Sequence, residues 1–231
     1  MGLGTLAMAG ETVDGAAGTL IVRPAADFVI TGDGSAAMWE AAEWLRLPQR
    51  RGQDGGYATE IKLLYSATGM YFLFRCQDKR LTATMAGDFM DLWNEDVVEV
   101  FLWPDERFPI YFEYEISPLD HELVLLVPNL DGQFLGWTPW HYEGIRRVRH
   151  ATSVRGGKKG SLAVVEGWSA EFFIPFELLA PLTNVPPKPG ARWRANFYRC
   201  DFDAEPHAAW AWQAVEKRFH EFEKFGTLIF L

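Results

Sequence analysis

Cysteine is nearly absent from this 231-residue chain. Two copies, Cys76 and Cys200, are too few for a disulfide framework. Each sits near the end of an expected strand, in the echoing contexts Arg75-Cys76-Gln77-Asp78 and Arg199-Cys200-Asp201, and each is expected as a buried free thiol. No CxxC or CxxH pair suggests zinc. Basic runs are equally sparse, limited to Arg146-Arg147 with Arg149 and to Lys158-Lys159 in a Gly-rich stretch. With a net charge of −9, the chain is a poor partner for a phosphate backbone, which argues against nucleic acid. No apolar run reaches 18 residues, which argues against a helical membrane span. Residues Met1 to Gly10 lack a basic start and an apolar core, so no signal peptide is expected. At face value the chain is cytoplasmic; trimming from a precursor would make it secreted or periplasmic. No βαβ alternation appears, which excludes doubly wound parallel folds. There is no G-x-S-x-G and no Gly-rich phosphate loop, so neither a serine hydrolase nor a nucleotide site is indicated.

What is present is aromatic and β-forming. Hydrophobic residues make up 48% and charged residues 23%, which suits a packed globule, and ten Trp exceed what a core alone requires. The length suits one β-sandwich domain over 1–231, with a loose Gly- and Ala-rich lead-in over 1–18. Period-two patterning predicts strands over 57–65, 70–76, 97–103, 110–116, 123–127, 148–154, 168–174, 193–200 and 225–231. Shorter strands are expected at 81–84 and 162–165, and a bent edge strand over 19–29, split by Pro24. Ser35 is expected to cap a short helix over 36–43, Arg50 to Gly56 to form a loop, and Phe176 to Leu179 to make one helical turn. The fold class is therefore all-β: an antiparallel two-sheet sandwich, jelly-roll-like, with one or two short helices.

The stretch richest in chemistry is Asp91-Leu92-Trp93-Asn94-Glu95-Asp96-Val97-Val98-Glu99-Val100-Phe101-Leu102-Trp103. Its second half reads as a buried strand, yet Glu99 lies on one face with Val97, Phe101 and Trp103. A carboxylate there is costly unless something satisfies it. Trp93 stands just upstream in a turn-prone segment. A ring for the apolar C–H face of a pyranose, beside polar groups for its hydroxyls, is what sugar recognition needs. Fully extended, Trp93 and Glu99 would be about 20 Å apart, so they can share a site only if the chain bends near Asn94–Asp96.

Several motifs in order resemble carbohydrate-binding module family 9 and its relatives, a branch of the DOMON-like β-sandwiches. They are Ala58-Thr59-Glu60-Ile61-Lys62-Leu63-Leu64-Tyr65; Trp93-Asn94-Glu95-Asp96-Val97-Val98-Glu99; Tyr111-Phe112-Glu113-Tyr114-Glu115-Ile116; Gly167-Trp168-Ser169-Ala170-Glu171; Pro189-Gly190-Ala191-Arg192-Trp193-Arg194-Ala195-Asn196; and Phe225-Gly226-Thr227-Leu228. The resemblance covers about residues 35–231. It implies a non-enzymatic sandwich that binds a mono- or oligosaccharide in the service of polysaccharide use, clamping a sugar between two Trp rings. Trp93 and Glu99 match the family's W-x-x-D-x-x-E positions, and Trp212 or Trp210 matches the second ring. Asn196, Arg199 and Gln213 are the further polar candidates. No cofactor is expected; calcium, structural in some relatives, is secured by no motif here.

Other readings compete. Glu99 could be a core carboxylate paired with Arg194 or Arg199, leaving a structural or partner-docking sandwich. Glu113 and Glu115 lie about 6–7 Å apart on one strand face, which raises a glycosidase pair, but alternate acids on an exposed strand face are the ordinary reading. Asp201-Phe202-Asp203-Ala204-Glu205 has a partial calcium-loop look without the glycine. DOMON-like relatives also include haem-b domains, for which Met85, Met90, His207 and His220 would be the axial candidates.

Overall fold

A computed structural model describes residues 18–52 and 56–231. The lead-in expected over 1–18, apart from Gly18, and the centre of the loop expected over 50–56 lie outside the described residues. Fifteen strands occur among those described: β1 Thr19–Pro24, β2 Leu45–Arg46, β3 Gln49–Arg51, β4 Thr59–Tyr65 and β5 Gly69–Gln77. Then come β6 Val97–Trp103, β7 Ile110–Ile116, β8 Glu122–Leu130, β9 Gln133–Phe134 and β10 Thr138–Pro139. The series ends with β11 Arg149–Arg155, β12 Gly167–Pro175, β13 Arg192–Asp201, β14 Ala208–Ala211 and β15 Gly226–Phe230. One α-helical turn, α1 Phe176–Leu179, and four 3-10 turns complete the elements.

The strands form two facing layers. The first runs β10-β8-β7-β6-β13-β15-β1, with β14 continuing from β13 to β3; the second runs β1-β4-β5-β12-β11, with β2 on β4. Almost every pairing is antiparallel, as alternation without crossover helices requires. β1 departs from this. Thr19 to Val22 pair in parallel with Thr227 to Phe230 of β15, and Arg23 and Pro24 pair in parallel with Leu64 and Tyr65 of β4. β1 is thus not the bent edge strand expected but a bridge between layers. Pro24 marks its end because it cannot donate to a ladder.

Alternation along each strand builds the core. Val98, Val100 and Leu102 of β6, Phe112 and Tyr114 of β7, and Trp193 and Phe197 of β13 face Ile61, Phe72, Phe74, Phe172 and Ile174 of the second layer. The rings of Phe72 and Phe172 stack at 5.1 Å, and Tyr114 meets Phe172 at 4.7 Å across the layers.

Each layer also has a covered outer face. Over the second, Trp39 and Phe28 pack on Leu64, Tyr71 and Phe173. Glu171 pins that cover by accepting hydrogen bonds from Trp39 Nε1 (2.8 Å), Thr31 Oγ1 (2.8 Å) and the Gly32 amide (2.7 Å). The expected helix over 36–43 is a 3-10 turn, Ala37–Ala41, without a side-chain cap from Ser35. Residues 81–84 and 162–165 form no strands beyond a single Arg80–Val164 bridge. Cys76 and Cys200 are free and buried, Cys76 in the core between the layers and Cys200 in the cluster on the outer side of the first layer.

Candidate functional site

The outer face of the first layer holds the chemistry. β6 and β7 pair so that Glu99 lies directly opposite Glu115 and Phe101 opposite Glu113. All three carboxylates therefore emerge on the same face, beneath loops that supply Met85, Phe89, Trp93, Phe134, Phe202 and Phe219. The acids are 2%, 3% and 0% exposed for Glu99, Glu113 and Glu115, so the pair read as an exposed strand face is in fact buried. The correction has a physical reason: the face that sequence alternation assigns to solvent is roofed by segments from residues 85–95, 131–142 and 202–225.

Like charges directly opposite one another in a sheet repel, and burial penalises each charge further. Burial, and next the neighbouring Glu113, push Glu99 well above the usual carboxylate range; burial, then Glu99 and Glu113, do the same to Glu115. Burial raises Glu113 to about 8, with the adjacent Glu115 carboxyl pulling it back down. Glu99 Oε1, Glu113 Oε2 and both oxygens of Glu115 are buried without a hydrogen-bond partner.

Above these acids lies a cavity of about 250 Å³. Glu99, Glu113 and Glu115 line it with Phe101, and Trp93, Trp137, Phe219 and His220 form aromatic walls. Arg51, Lys217 and Arg218 bring cationic donors to it. Trp93 and Trp137 meet edge to face, with centroids 5.2 Å apart at 70°. His220 stacks on Phe134 at 4.2 Å and is hydrogen-bonded through Nδ1 to the Tyr111 hydroxyl at 2.7 Å. Burial, and then Arg218, hold its pKa down at about 4, so the imidazole is neutral at ordinary pH.

Trp93 and Glu99 reach the same cavity because the chain does turn between them. Leu92–Asn94 is a 3-10 turn, and Glu95 accepts a hydrogen bond from the Met85 amide at 3.0 Å, which anchors the bend. The other named residues lie elsewhere. Trp212 stacks on Phe197 at 5.3 Å in the core between layers, and Trp210 is buried there with it. Arg199 is wholly buried, bonded to Asp78 at 3.1 Å, Asp201 at 2.6 Å and the Gln77 carbonyl at 2.7 Å, with Trp210 4.7 Å away. Asn196 donates to the Gln213 carbonyl and accepts from the Gln213 amide, so it clasps backbone, and Gln213 packs its side chain towards Gly18.

Neither arginine named as a partner for Glu99 serves it. Arg199 faces the core, and Arg194 pairs with Glu106 at 2.8 Å. The calcium-loop look of 201–205 is also resolved: Asp78, Asp201 and Asp203 do cluster, but the Arg199 guanidinium already supplies the positive charge, and Asp203 accepts from Tyr57 and Thr82. Of the residues named for haem, His207 stacks on Phe202, His220 stacks on Phe134 and Met85 joins the outer cluster, while Met90 is exposed.

Sequence reasoning missed Trp137 and His220 as cavity residues. The signal available was the aromatic, aperiodic stretch over 131–142, whose rings no strand pattern had absorbed.

Comparisons bear on this site. Residues 30–119 match the family model described as carbohydrate family 9 binding domain-like, a span that includes Trp93 and all three acids. An "Extracellular protein" of Arthroderma benhamiae is 26% identical over 185 aligned residues, covering 75% of this chain and 78% of that protein. A candidate carbohydrate-binding protein from Bacteroides uniformis superposes with a TM-score of 0.76 at 17% identity, over 94% of this chain and 100% of that one. A carbohydrate-binding module of family 9 from Caldicellulosiruptor kristjanssonii, solved with cellotriose, gives a TM-score of 0.63 at 15% identity over 92% of this chain and 93% of its own. These structural likenesses speak to the fold.

Proposed function

We propose that this chain, a carbohydrate family 9 binding domain-like sandwich, binds a mono- or oligosaccharide in the cavity over β6 and β7 and performs no catalysis on it. The carrying observation is that aromatic walls and buried, unpartnered carboxyls meet in one cavity. A pyranose needs both: an aromatic plane for its C–H face and polar groups that accept or donate to hydroxyls. Among the relatives, a family 9 module was solved with cellotriose and again with glucose, so gluco-configured sugars are the first ligands to test.

In this reading Trp93 is the platform, and Trp137 meets it as the second wall of a corner rather than as the parallel half of a clamp. Glu99 accepts from, or when protonated donates to, a sugar hydroxyl. Arg51 and Arg218 reach hydroxyls from the rim. Trp212, Trp210, Arg199, Asn196 and Gln213 act through the scaffold. Catalysis is disfavoured by the placement: the two carboxyls of a glycosidase flank the scissile bond, whereas these three emerge together from adjacent strands on the cavity floor.

The test is calorimetry with glucose and cellotriose on the chain and on Trp93→Ala. Covering roughly 100 Å² of the ring at ~25 cal/mol/Å² corresponds to about 2.5 kcal/mol, or roughly 70-fold in affinity. Because Trp93 is only half-buried, the variant is expected to keep its fold. Undiminished binding by Trp93→Ala would place the site elsewhere.

A further inference from the structure

Among the described residues two clusters of three acids occur, and the fold treats them oppositely. In the first, Asp78, Asp201 and Asp203, arginines of the chain supply the charge, Arg199 to Asp78 and Asp201 and Arg80 to Asp203. In the second, Glu99, Glu113 and Glu115, no Lys or Arg among the described residues comes within ion-pair distance; the nearest basic atom is His220 Nδ1, 3.9 Å from Glu113 Oε2. That imidazole is held neutral by burial and by Arg218. Four oxygens of the cluster are buried and without partners, and all three side chains line the cavity. Three buried carboxyls with unfilled lone pairs, open on one side to the cavity, can be satisfied by a cation from outside the chain that displaces their protons as it binds.

The donor set selects the kind of cation. One oxygen from each acid lies within 4.8 Å of one from each of the others, close enough for a single ion to touch all three. Calcium accepts such sets in a flexible shell of oxygens at about 2.3–2.6 Å. Magnesium demands a stricter octahedron, dehydrates reluctantly and usually takes only one or two carboxylates. An all-carboxylate set favours hard cations over zinc or copper. We propose that Glu99, Glu113 and Glu115 form a calcium site on the cavity floor, and that the ion's remaining positions face the cavity and take saccharide hydroxyls. The second half of this proposal rests on the sugar-binding reading; the first does not.

The two halves are tested separately on the full chain, stripped with EDTA and dialysed. Calcium chloride alone, followed by calorimetry, is expected to bind one ion per chain with a Kd of about 10⁻³ M or tighter. Calcium is also expected to raise the unfolding midpoint, since an ion that binds only the native state stabilises it by mass action. Glu115→Gln and Glu99→Gln should each weaken binding at least tenfold with the circular dichroism spectrum unchanged. Absence of calcium binding by the unmodified chain overturns the site whatever the variants do. Full-strength binding by both variants also overturns it, because the ion would then sit elsewhere.

Cellotriose is then titrated with calcium and with EDTA. A tenfold or greater loss in EDTA supports hydroxyl coordination, and equal affinity refutes it. Calcium binding without cellotriose or glucose binding under either condition would overturn the sugar reading and, with it, the coordination half, and would leave the ion site standing.

Discussion

Replacing Arg199 by Met should separate the scaffold of this protein from its binding site. The guanidinium is fully buried, bonded to Asp78 and Asp201, to Thr59 Oγ1 and to the Gln77 carbonyl, and it lies over the Trp210 ring. Met fills much of the volume but leaves two buried carboxylates without a cation. Breaking a buried ion pair by removing one partner costs about 3–5 kcal/mol. In a domain of this size each kcal/mol moves the thermal midpoint by about 2–4 °C, so a fall of roughly 6–20 °C is expected. The cost should depend on pH. Burial already raises Asp78 to about 6 against the pull of Arg199, and it raises Asp201 as well. Without the arginine both would rise further and be held protonated. Each pH unit between the unfolded-state pKa near 3.8 and the raised native value then costs about 1.4 kcal/mol per carboxyl. Urea unfolding of both proteins at pH 5.5 and pH 8 should therefore show the larger loss at pH 8. Below the unfolding midpoint, the sugar affinity of Arg199→Met should match that of the parent chain. A pH-independent loss, or none at pH 8, would refute the reasoning about charge; lost sugar affinity in folded protein would return Arg199 to the site.

Three further outcomes are expected. Trp212→Ala should cost about 3–5 kcal/mol in urea unfolding, because it empties a core position against Phe197, whereas Trp137→Ala, 47% exposed, should barely move that midpoint yet weaken sugar binding. Glu171→Ala removes the acceptor for Trp39 Nε1, Thr31 and Gly32, so it should lose at least about 3 kcal/mol and speed proteolysis within 28–42; unchanged cleavage would mean the cover packs without that anchor. His150 is buried enough to disfavour its charge, but Asp120 at 3.0 Å, Glu122 and Asp88 outweigh burial and raise its pKa. Its contribution to stability is thus fully present below about pH 6.5 and lost as pH rises through the raised value. His150→Gln should flatten that limb of the stability profile.

Much of the fold was legible because the central strands alternate strictly. β4 to β8, β12 and β13 carry β-branched and aromatic residues at period two, and each appears within a few residues of its expected bounds. β14 was not legible: Ala-Ala-Trp-Ala offers neither alternation nor β-branching, and its pairing is set by β13. Nor was the parallel bridge of β1, whose partners lie at residues 64–65 and 227–230.

For the site, the spacing of Trp93 and Glu99 carried the information, since one turn and one strand position both. Of the polar set, Glu99 lines the cavity while Asn196, Arg199 and Gln213 lie outside it, and part of the reason was readable in advance. Asn196 and Arg199 are three apart on one strand and so point to opposite faces. Arg199 therefore belongs to the core side, while Asn196 shares its face with Tyr198 and Cys200. The burial of Glu113 and Glu115 depends on loops more than fifteen residues away in sequence, and nothing local announces a roof.

The alternation of β6 and β7 carries a consequence for how such a chain diversifies. Val98, Val100 and Leu102 join the layers, while Glu99 and Phe101, one residue away, face the cavity. Stability and specificity are thus written on the two sides of the same backbone. A library randomised at 113, 115, 137 and 218 leaves every inter-layer contact in place, so the ligand can be exchanged as a cassette while the sandwich that displays it stays constant.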